Sequence, residues 1–335
     1  MTRALLLIFI FSVVCSQAQD IHFSQFHRAP LVQNPAMAGA AYPMEGILNY
    51  KEQWKSADAP FKTFNASWDM RMKNDESSSG FWAGGINIFS DKAGDSKLST
   101  LNVNLCIAYH VKLSGTSTLG AGVTGGYAQR TINYSSLTWG NQFDGYTYQS
   151  ALPSGENESF NSKSYFDVGA GIAWAHSKGE KYMTGNNQVK AEAGLAVFHI
   201  NRPEYSFLND GEKLDMKFVA HGNILIGISN SNLSVVPGLM YYKQGSASEL
   251  LAGSLFRYLI KANAQYTGFV TGSAISLGAH FRAKDSFIAS MILEMGSYSL
   301  GISYDLNTSD LKMASDGKGG LELSLRFVNP NPFLK

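Results

Sequence analysis

The chain has 335 residues, a formal net charge of +1 and 16% charged residues, against about 25% in typical soluble domains. Its charges form no long basic or acidic run, so the sequence lacks the basic patch typical of nucleic-acid-binding proteins. We therefore expect no nucleic-acid partner. Glycine accounts for 33 residues and aromatic side chains for 12% of the chain. Low charge with abundant glycine and aromatic residues is typical of outer-membrane β-barrels.

The first residues, 1–18, form a predicted export signal. Arg3 supplies a positive start, and an apolar stretch follows over Ala4–Val14. Small residues in Ser16–Ala18 predict cleavage before Gln19. The apolar stretch is too short to span a bilayer as a helix. We therefore expect the chain to be exported.

The next segment, 19–43, has no strand alternation. Its apolar residues are irregularly spaced, and Pro30 and Pro35 interrupt regular structure. We expect Phe23, Phe26 and Leu31 to be buried anchors of this segment.

Residues 44–328 alternate between apolar and small or polar side chains, which is the strand pattern. Many runs reach ten residues, longer than the roughly five or six of common soluble strands. They match the nine to eleven or so that a tilted membrane strand needs. A soluble β-sandwich is the alternative. We predict about fourteen strands, at 44–55, 62–73, 79–90, 97–113, 116–132, 164–176, 188–200, 217–230, 232–243, 248–259, 273–283, 286–295, 297–306 and 319–328.

These strands predict an all-β fold, an antiparallel transmembrane barrel in the outer membrane of a Gram-negative cell, contacting lipid. The apolar positions should face lipid, and the small or polar positions the lumen. The longest links, 133–163, 201–216 and 307–318, all follow odd strands, so we place them outside the cell and the N-terminus in the periplasm. Two links at the periplasmic end, 177–187 and 260–272, are long for simple turns.

The link 133–163 carries many aromatic residues among Ser, Gly and Asn. It is too aromatic for a disordered spacer. We expect an ordered surface loop or an inward-folding constriction, and a loop packed only on the barrel rim is an equal alternative.

A fourteen-stranded barrel is too wide for its own side chains to fill. The segment 19–43 is a candidate occupant that could pack in the lumen or cap the periplasmic mouth. Alternatively it is a periplasmic lead-in that orders only on a partner. Residues 329–335 form a short C-terminal tail.

Catalytic and metal-binding patterns are weak. No histidine pair has helical spacing, and His110, His221 and His280 fall on the lumenal side of their strands. Gly120, Gly122 and Gly125 form a GxGxxG-like pattern inside a strand with no helix behind it, so we interpret them as small lumenal residues. Once the signal is removed, one thiol remains, Cys106, which excludes a disulfide framework. We expect no catalytic residue, no metal site, no cofactor and no enzymatic activity.

Two clusters of residues, near the start and near the end of the mature chain, form a pattern that strand alternation alone does not explain. The first cluster comprises Phe23, Gln25, Phe26, Pro30, Leu31, Asn34, Pro35, Ala36 and Gly39 in the N-terminal segment, followed by Gln53, Trp54, Pro60 and Phe61. The second comprises Tyr304, Asp305 and Glu322 in the last two predicted strands. Together the two clusters resemble the PorP/SprF family of type IX secretion and gliding-motility membrane proteins, and the N-terminal cluster is the more specific part of the resemblance.

The resemblance implies a non-enzymatic role in a member of the Bacteroidota. It implies that the barrel binds the C-terminal sorting domain of secreted, adhesin-type cargo and anchors that cargo at the cell surface. Periplasmic lipoproteins of the secretion or motility apparatus are the implied second partner. We expect the N-terminal cluster to help form the cargo or lipoprotein contact. The alternative functions are a general diffusion porin or nutrient channel and, less favoured, an outer-membrane enzyme.

Overall fold

The structure is a computed structural model that describes residues 20–53, 60–72, 79–94, 98–133, 137–155, 162–178, 186–207, 211–261, 272–309 and 318–329. The expected signal 1–18 and the tail beyond 329 lie outside the described residues. Within the described ranges, no helix has the length and apolarity to cross a membrane.

Fourteen antiparallel strands form a closed barrel. Each strand pairs with its neighbour in sequence, and the first strand pairs with the last, from Met44 opposite Asn329 to Gln53 opposite Gly320. The predicted barrel and its strand number are confirmed. The strands are β1 Met44–Gln53, β2 Phe61–Arg71, β3 Gly80–Ala93, β4 Leu98–Lys112, β5 Ser117–Thr131, β6 Ser162–Lys178, β7 Val189–Phe198, β8 Lys217–Gly227, β9 Leu233–Gln244, β10 Ala247–Lys261, β11 Ser273–Arg282, β12 Ser286–Met295, β13 Tyr298–Asn307 and β14 Lys318–Asn329.

The two faces of the wall follow the alternation in the sequence. In β4, Leu105 is 62% exposed on the outside, while the adjacent Cys106 is buried on the inside. Outward-facing aromatic residues gather at two levels, as expected for the two edges of an apolar band in a membrane. One level, near the β1 start and β14 end, includes Trp68, Trp82, Tyr109, Trp174 and Tyr298, and the other includes Phe64, Tyr127, Phe166, Phe281 and Tyr304.

The two ends of the barrel differ in their links. The β1 start and the β14 end lie at one end, which we call the inner mouth. The longest links, between β5 and β6 and between β7 and β8, lie at the opposite end, the outer mouth. In outer-membrane barrels the long loops are extracellular, so the outer mouth faces the outside. The two long inner links that we noted from the sequence lie mostly outside the described residues.

Residues 20–43, which we call the lumenal segment, run through the barrel from the outer mouth to the inner mouth. Within the segment are two 3-10 turns, Phe26–Arg28 and Pro35–Met37, and one short α-helix, α1, Pro30–Gln33. Proline suits the first position of α1, because the N–H group that proline lacks would have no partner within the helix there. Most of the segment is buried against the lumenal face of the barrel wall. The alternative, a periplasmic lead-in that orders only on a partner, is therefore wrong for this structure. The prediction of a non-strand segment in the lumen is confirmed.

Candidate functional site

The outer half of the lumenal segment is held by a carboxylate from the last strand. Glu322 accepts hydrogen bonds from the backbone N–H groups of Ser24 at 2.7 Å and Gln25 at 2.9 Å. The Gln25 side chain donates to the backbone oxygen of Glu322 at 3.2 Å. A carboxylate that accepts two backbone N–H bonds satisfies donors that would otherwise be buried without partners. The first and last parts of the mature chain are thereby joined.

A buried guanidinium extends this contact. Arg282, at the outer end of β11, donates to Ser24 Oγ at 2.8 Å and to Asp305 Oδ2 at 3.0 Å. Its Nε lies 3.3 Å from Glu249 Oε1. Ser24 Oγ in turn donates to Asp305 at 2.8 Å. Arg282 thus ties the segment to two carboxylates on the wall, and its charge offsets theirs in a site that excludes water.

Deeper in the lumen, Arg28 is a second buried guanidinium. It donates to Ser324 Oγ at 2.6 Å, and to the hydroxyl and the backbone oxygen of Ser299 at 3.0 and 2.7 Å. The backbone oxygen of Arg28 accepts from the Asn49 side chain at 3.2 Å. The contacts of Arg28 therefore bridge β1, β13 and β14 on both sides of the seam that closes the barrel.

At the outer mouth, the segment starts in an ion-pair cluster. His199 lies between two carboxylates, 2.7 Å from Asp20 and 2.9 Å from Asp167. Burial lowers the pKa of His199, but the two carboxylates outweigh burial and raise that pKa to about 9. Burial raises the pKa of Asp20, but the charges of His199 and Lys217 outweigh burial, and that pKa falls below its usual range. Both groups are charged at neutral pH, and neither ring nitrogen of His199 is available as a general base.

The inner half of the segment is held by close packing. Asn34 Nδ2 donates to the backbone oxygen of Ile172 at 2.9 Å, and its Oδ1 accepts from Ala36 N–H. The Asn34–Ala36 turn lies against β5, β6 and β7. There the wall carries glycines because no side chain fits: a Cβ on Gly122 would lie 2.6 Å from Ala36 N. Similar conflicts with Asn34 arise at Gly171 and Gly194.

Two further contacts fix the inner end of the segment. The N–H of Gly39 donates to Asp69 at 2.7 Å, and Arg71 donates to the backbone oxygen of Gly39 at 2.7 Å. Gly39 has φ +65, which favours glycine, and its turn leads into β1. His110 bonds the backbone oxygen of Ala38 at 2.8 Å.

The three histidines predicted to face the lumen do so, and each meets the segment. His110 bonds Ala38, His221 lies 3.2 Å from the Asn34 amide, and His280 packs edge-on against Phe26. The glycine interpretation is right for Gly120 and Gly122 and wrong for Gly125, since Gly125 has the opposite parity and faces outward with open space around it.

Most of the predicted site residues come together in the lumen. Phe23, Gln25, Phe26, Leu31, Asn34, Pro35, Ala36 and Gly39 are buried, Pro30 is half-buried, and Asp305 and Glu322 meet them from the wall. The others lie apart. Gln53 and Phe61 pair at the outer end of β1 and β2 next to Pro60, and Tyr304 faces outward. Trp54 lies outside the described residues. A partner-binding role for this cluster stays a prediction, because wall contacts occupy its buried members.

Sequence reasoning missed Ser24, Arg28, Arg282 and His199. One signal was available: Arg282 has the same strand parity as the lumenal His280, and a charged side chain on a buried face needs buried partners. Some of their contacts join distant parts of the chain: Arg282 bonds Ser24 across 258 positions, and Arg28 bonds Ser324 across 296.

A small cavity of about 110 Å³ lies beside the segment in the outer half of the lumen. Asn87, Asn102, Arg130 and Tyr165 line it from the wall, together with Lys217. Among the described residues, no group of three His, Cys, Asp or Glu side chains is placed to hold a metal ion. The charged groups described above are engaged in holding the segment.

A family model described as type IX secretion system membrane protein PorP/SprF matches residues 15–327. The chain belongs to this family. The matched range includes both the lumenal segment and the last strand, so the Ser24, Gln25 and Glu322 contact lies within the PorP/SprF region. A search of curated proteins finds no significant match.

Solved outer-membrane barrels are similar to this PorP/SprF protein in fold alone. A TodX mutant described as a monoaromatic hydrocarbon channel is 9% identical, with a TM-score of 0.48 over 90% of this chain and 94% of its own. The CymD monoaromatic hydrocarbon channel is 10% identical, with a TM-score of 0.43 over 90% and 93%. CdiB from Acinetobacter baumannii is 9% identical, with a TM-score of 0.41 over 86% and 60%, so the chain spans only 60% of CdiB.

Proposed function

We propose that this PorP/SprF protein is a non-enzymatic outer-membrane barrel that binds the C-terminal sorting domain of secreted, adhesin-type cargo and anchors it at the cell surface. Periplasmic lipoproteins of the secretion or gliding-motility apparatus are the proposed partners at the inner mouth. Family membership supports the secretion role. The occupied lumen supports a role in which proteins dock on the mouths and loops of the barrel.

The observation that carries the proposal is the filled lumen. The lumenal segment contacts β14 through Glu322, β11 through Arg282 and the β5–β7 wall through Asn34. A diffusion channel needs a continuous water-filled path, which such a segment obstructs. The porin alternative therefore has no specific support here. A barrel with an occupied lumen acts through its mouths and loops, where proteins can dock.

The described residues offer little support for an enzyme. The one histidine with two carboxylate neighbours, His199, has both ring nitrogens engaged. A nucleophile activated by a base would require one of them to be free.

The proposal is tested by purifying the affinity-tagged barrel from native outer membranes and identifying its co-purifying proteins. We expect a secreted protein with a sorting domain and a periplasmic lipoprotein. Cells without the barrel should lose surface display of that secreted protein, and the wild-type chain should restore it. Normal display in cells without the barrel would refute the anchoring role.

A second measurement separates the channel alternative. Purified wild-type barrel in planar bilayers should show no steady conductance, whereas a chain lacking Asp20–Pro43 should conduct if it still assembles. Assembly is checked by the different gel migration of folded and boiled protein. Steady conductance of the wild-type barrel would favour the channel instead.

A further inference from the structure

The link between β5 and β6 carries a compact hairpin at the outer mouth, which we call the aromatic hairpin (137–155). Phe143 and Tyr148 form an antiparallel bridge, so their side chains lie next to each other on one side. Tyr146 stands at the tip. Tyr146 is 92% exposed, Phe143 55% and Tyr148 46%. Of the alternatives drawn from the sequence, the surface loop describes this part of the link.

The aromatic hairpin is held in shape by its own hydrogen bonds. Asp144 Oδ1 accepts from the backbone N–H groups of Tyr146 and Thr147, both at 2.8 Å. The bond from Thr147, and after it the bond from Tyr146, lowers the pKa of Asp144. Gly145 at φ +98 supplies the left-handed turn. The exposed rings therefore project from a fixed backbone, which reduces the entropy lost on binding.

The side-chain amides of the aromatic hairpin are bonded within it. The Gln142 amide donates to the backbone oxygen of Leu152 at 3.2 Å and accepts from Trp139 N–H and the Tyr148 hydroxyl at 3.2 Å. Gln149 Nε2 donates to Asp144 and Thr147. Asp144 is the only formally charged residue in 137–155. The surface offered to a partner is thus apolar and nearly neutral.

These features discriminate between classes of partner. A glycan buries many hydroxyl groups, and each needs a hydrogen-bonding partner when it leaves water. The Gln142 amide is buried here, and the exposed amides of Asn141 and Gln149 already bond within the hairpin. A folded protein that binds through a low-charge apolar patch requires mainly a complementary shape and an apolar contact area on its receptor. Rigid Tyr and Phe side chains among Ser, Gly and Asn are the composition of protein-binding loops.

We propose that the aromatic hairpin is the docking site for the cargo sorting domain, which contributes a low-charge apolar patch of its folded surface. This inference rests on the proposed function and assigns a place to it. The dock lies outside the membrane, beyond β5 and β6, and is separate from the lumenal segment.

The test uses the full-length barrel in nanodiscs and, as the probe, a purified sorting domain from a secreted protein encoded in the same genome. The variant is Phe143→Ser with Tyr146→Ser, and the matched control is Ser150→Ala, also exposed in the hairpin. We expect at least about a tenfold weaker affinity for the double variant and no change for the control, because aromatic anchors dominate such interfaces. The affinity of wild type should change little between low and high salt.

The failures are distinguishable. If the wild-type barrel does not bind the probe, the proposed function fails. If wild type binds and the double variant, shown to be folded by its gel migration, binds equally well, the dock assigned here is wrong. Loss of surface-polysaccharide binding in the double variant, with probe binding intact, would overturn the proposal in favour of a glycan site.

Discussion

The outer and inner halves of the lumenal segment are held by different physics. From Asp20 to Arg28 the wall supplies charges, above all Glu322 and Arg282. From Pro30 to Met37 the main contact is steric, between the Asn34–Ala36 turn and glycines that leave no room for a Cβ, and Asp69 and Arg71 hold only the last turn at Gly39. A charged contact can be changed by pH or by loss of one partner. A close-packed contact responds only to volume.

The largest expected effect comes from removing the buried charge in the outer half. Arg282→Met leaves Asp305 and Glu249 without their cation, and breaking a buried pair in this way costs about 3–5 kcal/mol. The measurement is urea unfolding of the barrel in liposomes. Lys62→Met is the control: its ion pair with Glu52 lies at the barrel surface with Lys62 half exposed, so a loss of about 1 kcal/mol or less is expected. If both variants lose the same free energy of unfolding, the buried charge at Arg282 does not hold the outer half of the segment.

The next effect tests the inner half. Gly122→Ala places a methyl group 2.6 Å from Ala36 N and 2.7 Å from Pro35 C, both backbone atoms. Overpacking of this kind costs about 1–3 kcal/mol. Gly125→Ala, three residues along the same strand with no atom within 4 Å, should leave the free energy of unfolding nearly unchanged. If the two alanine variants unfold alike, steric packing does not hold the inner half.

The smallest effect concerns pH at the outer mouth. His199 has a raised pKa of about 9, so its charge stabilises the folded state fully below the ordinary value near 6.5. That contribution is lost as pH rises through about 9. The midpoint temperature of heat-induced gel migration change should therefore fall between pH 7 and pH 10 more in wild type than in His199→Gln. An identical fall in the two proteins would show that the His199 pair adds nothing.

The barrel could be predicted from the sequence because alternation is a local property. The parity of Leu105 and Cys106 was readable from neighbours, and so was that of Gly120 and Gly122. Gly125 was assigned to the wrong face because a motif was followed instead of the two-residue period. Period alone decides such positions.

The lumenal contacts could be predicted only in part. The resemblance brought Gln25 and Glu322 to notice, yet no pattern indicates that they touch across 297 positions. The path of a segment without periodicity depends on long-range polar partners, and Arg28 finds its partners on strands from both ends of the chain. Such pairings follow from the closed fold and have no local signal.

The seat of the lumenal segment on β14 has a consequence for biogenesis. Ser24 and Gln25 are made early, but the carboxylate that receives them belongs to the last strand of the barrel. Their binding surface does not exist until Glu322 has been delivered to the membrane and β14 lies next to β1. The inner half of the segment can pack on β5, β6 and β7 earlier, but the Ser24 and Gln25 contact cannot form while β14 is missing. The last contact of the segment and the closing of the seam therefore depend on the same strand, β14.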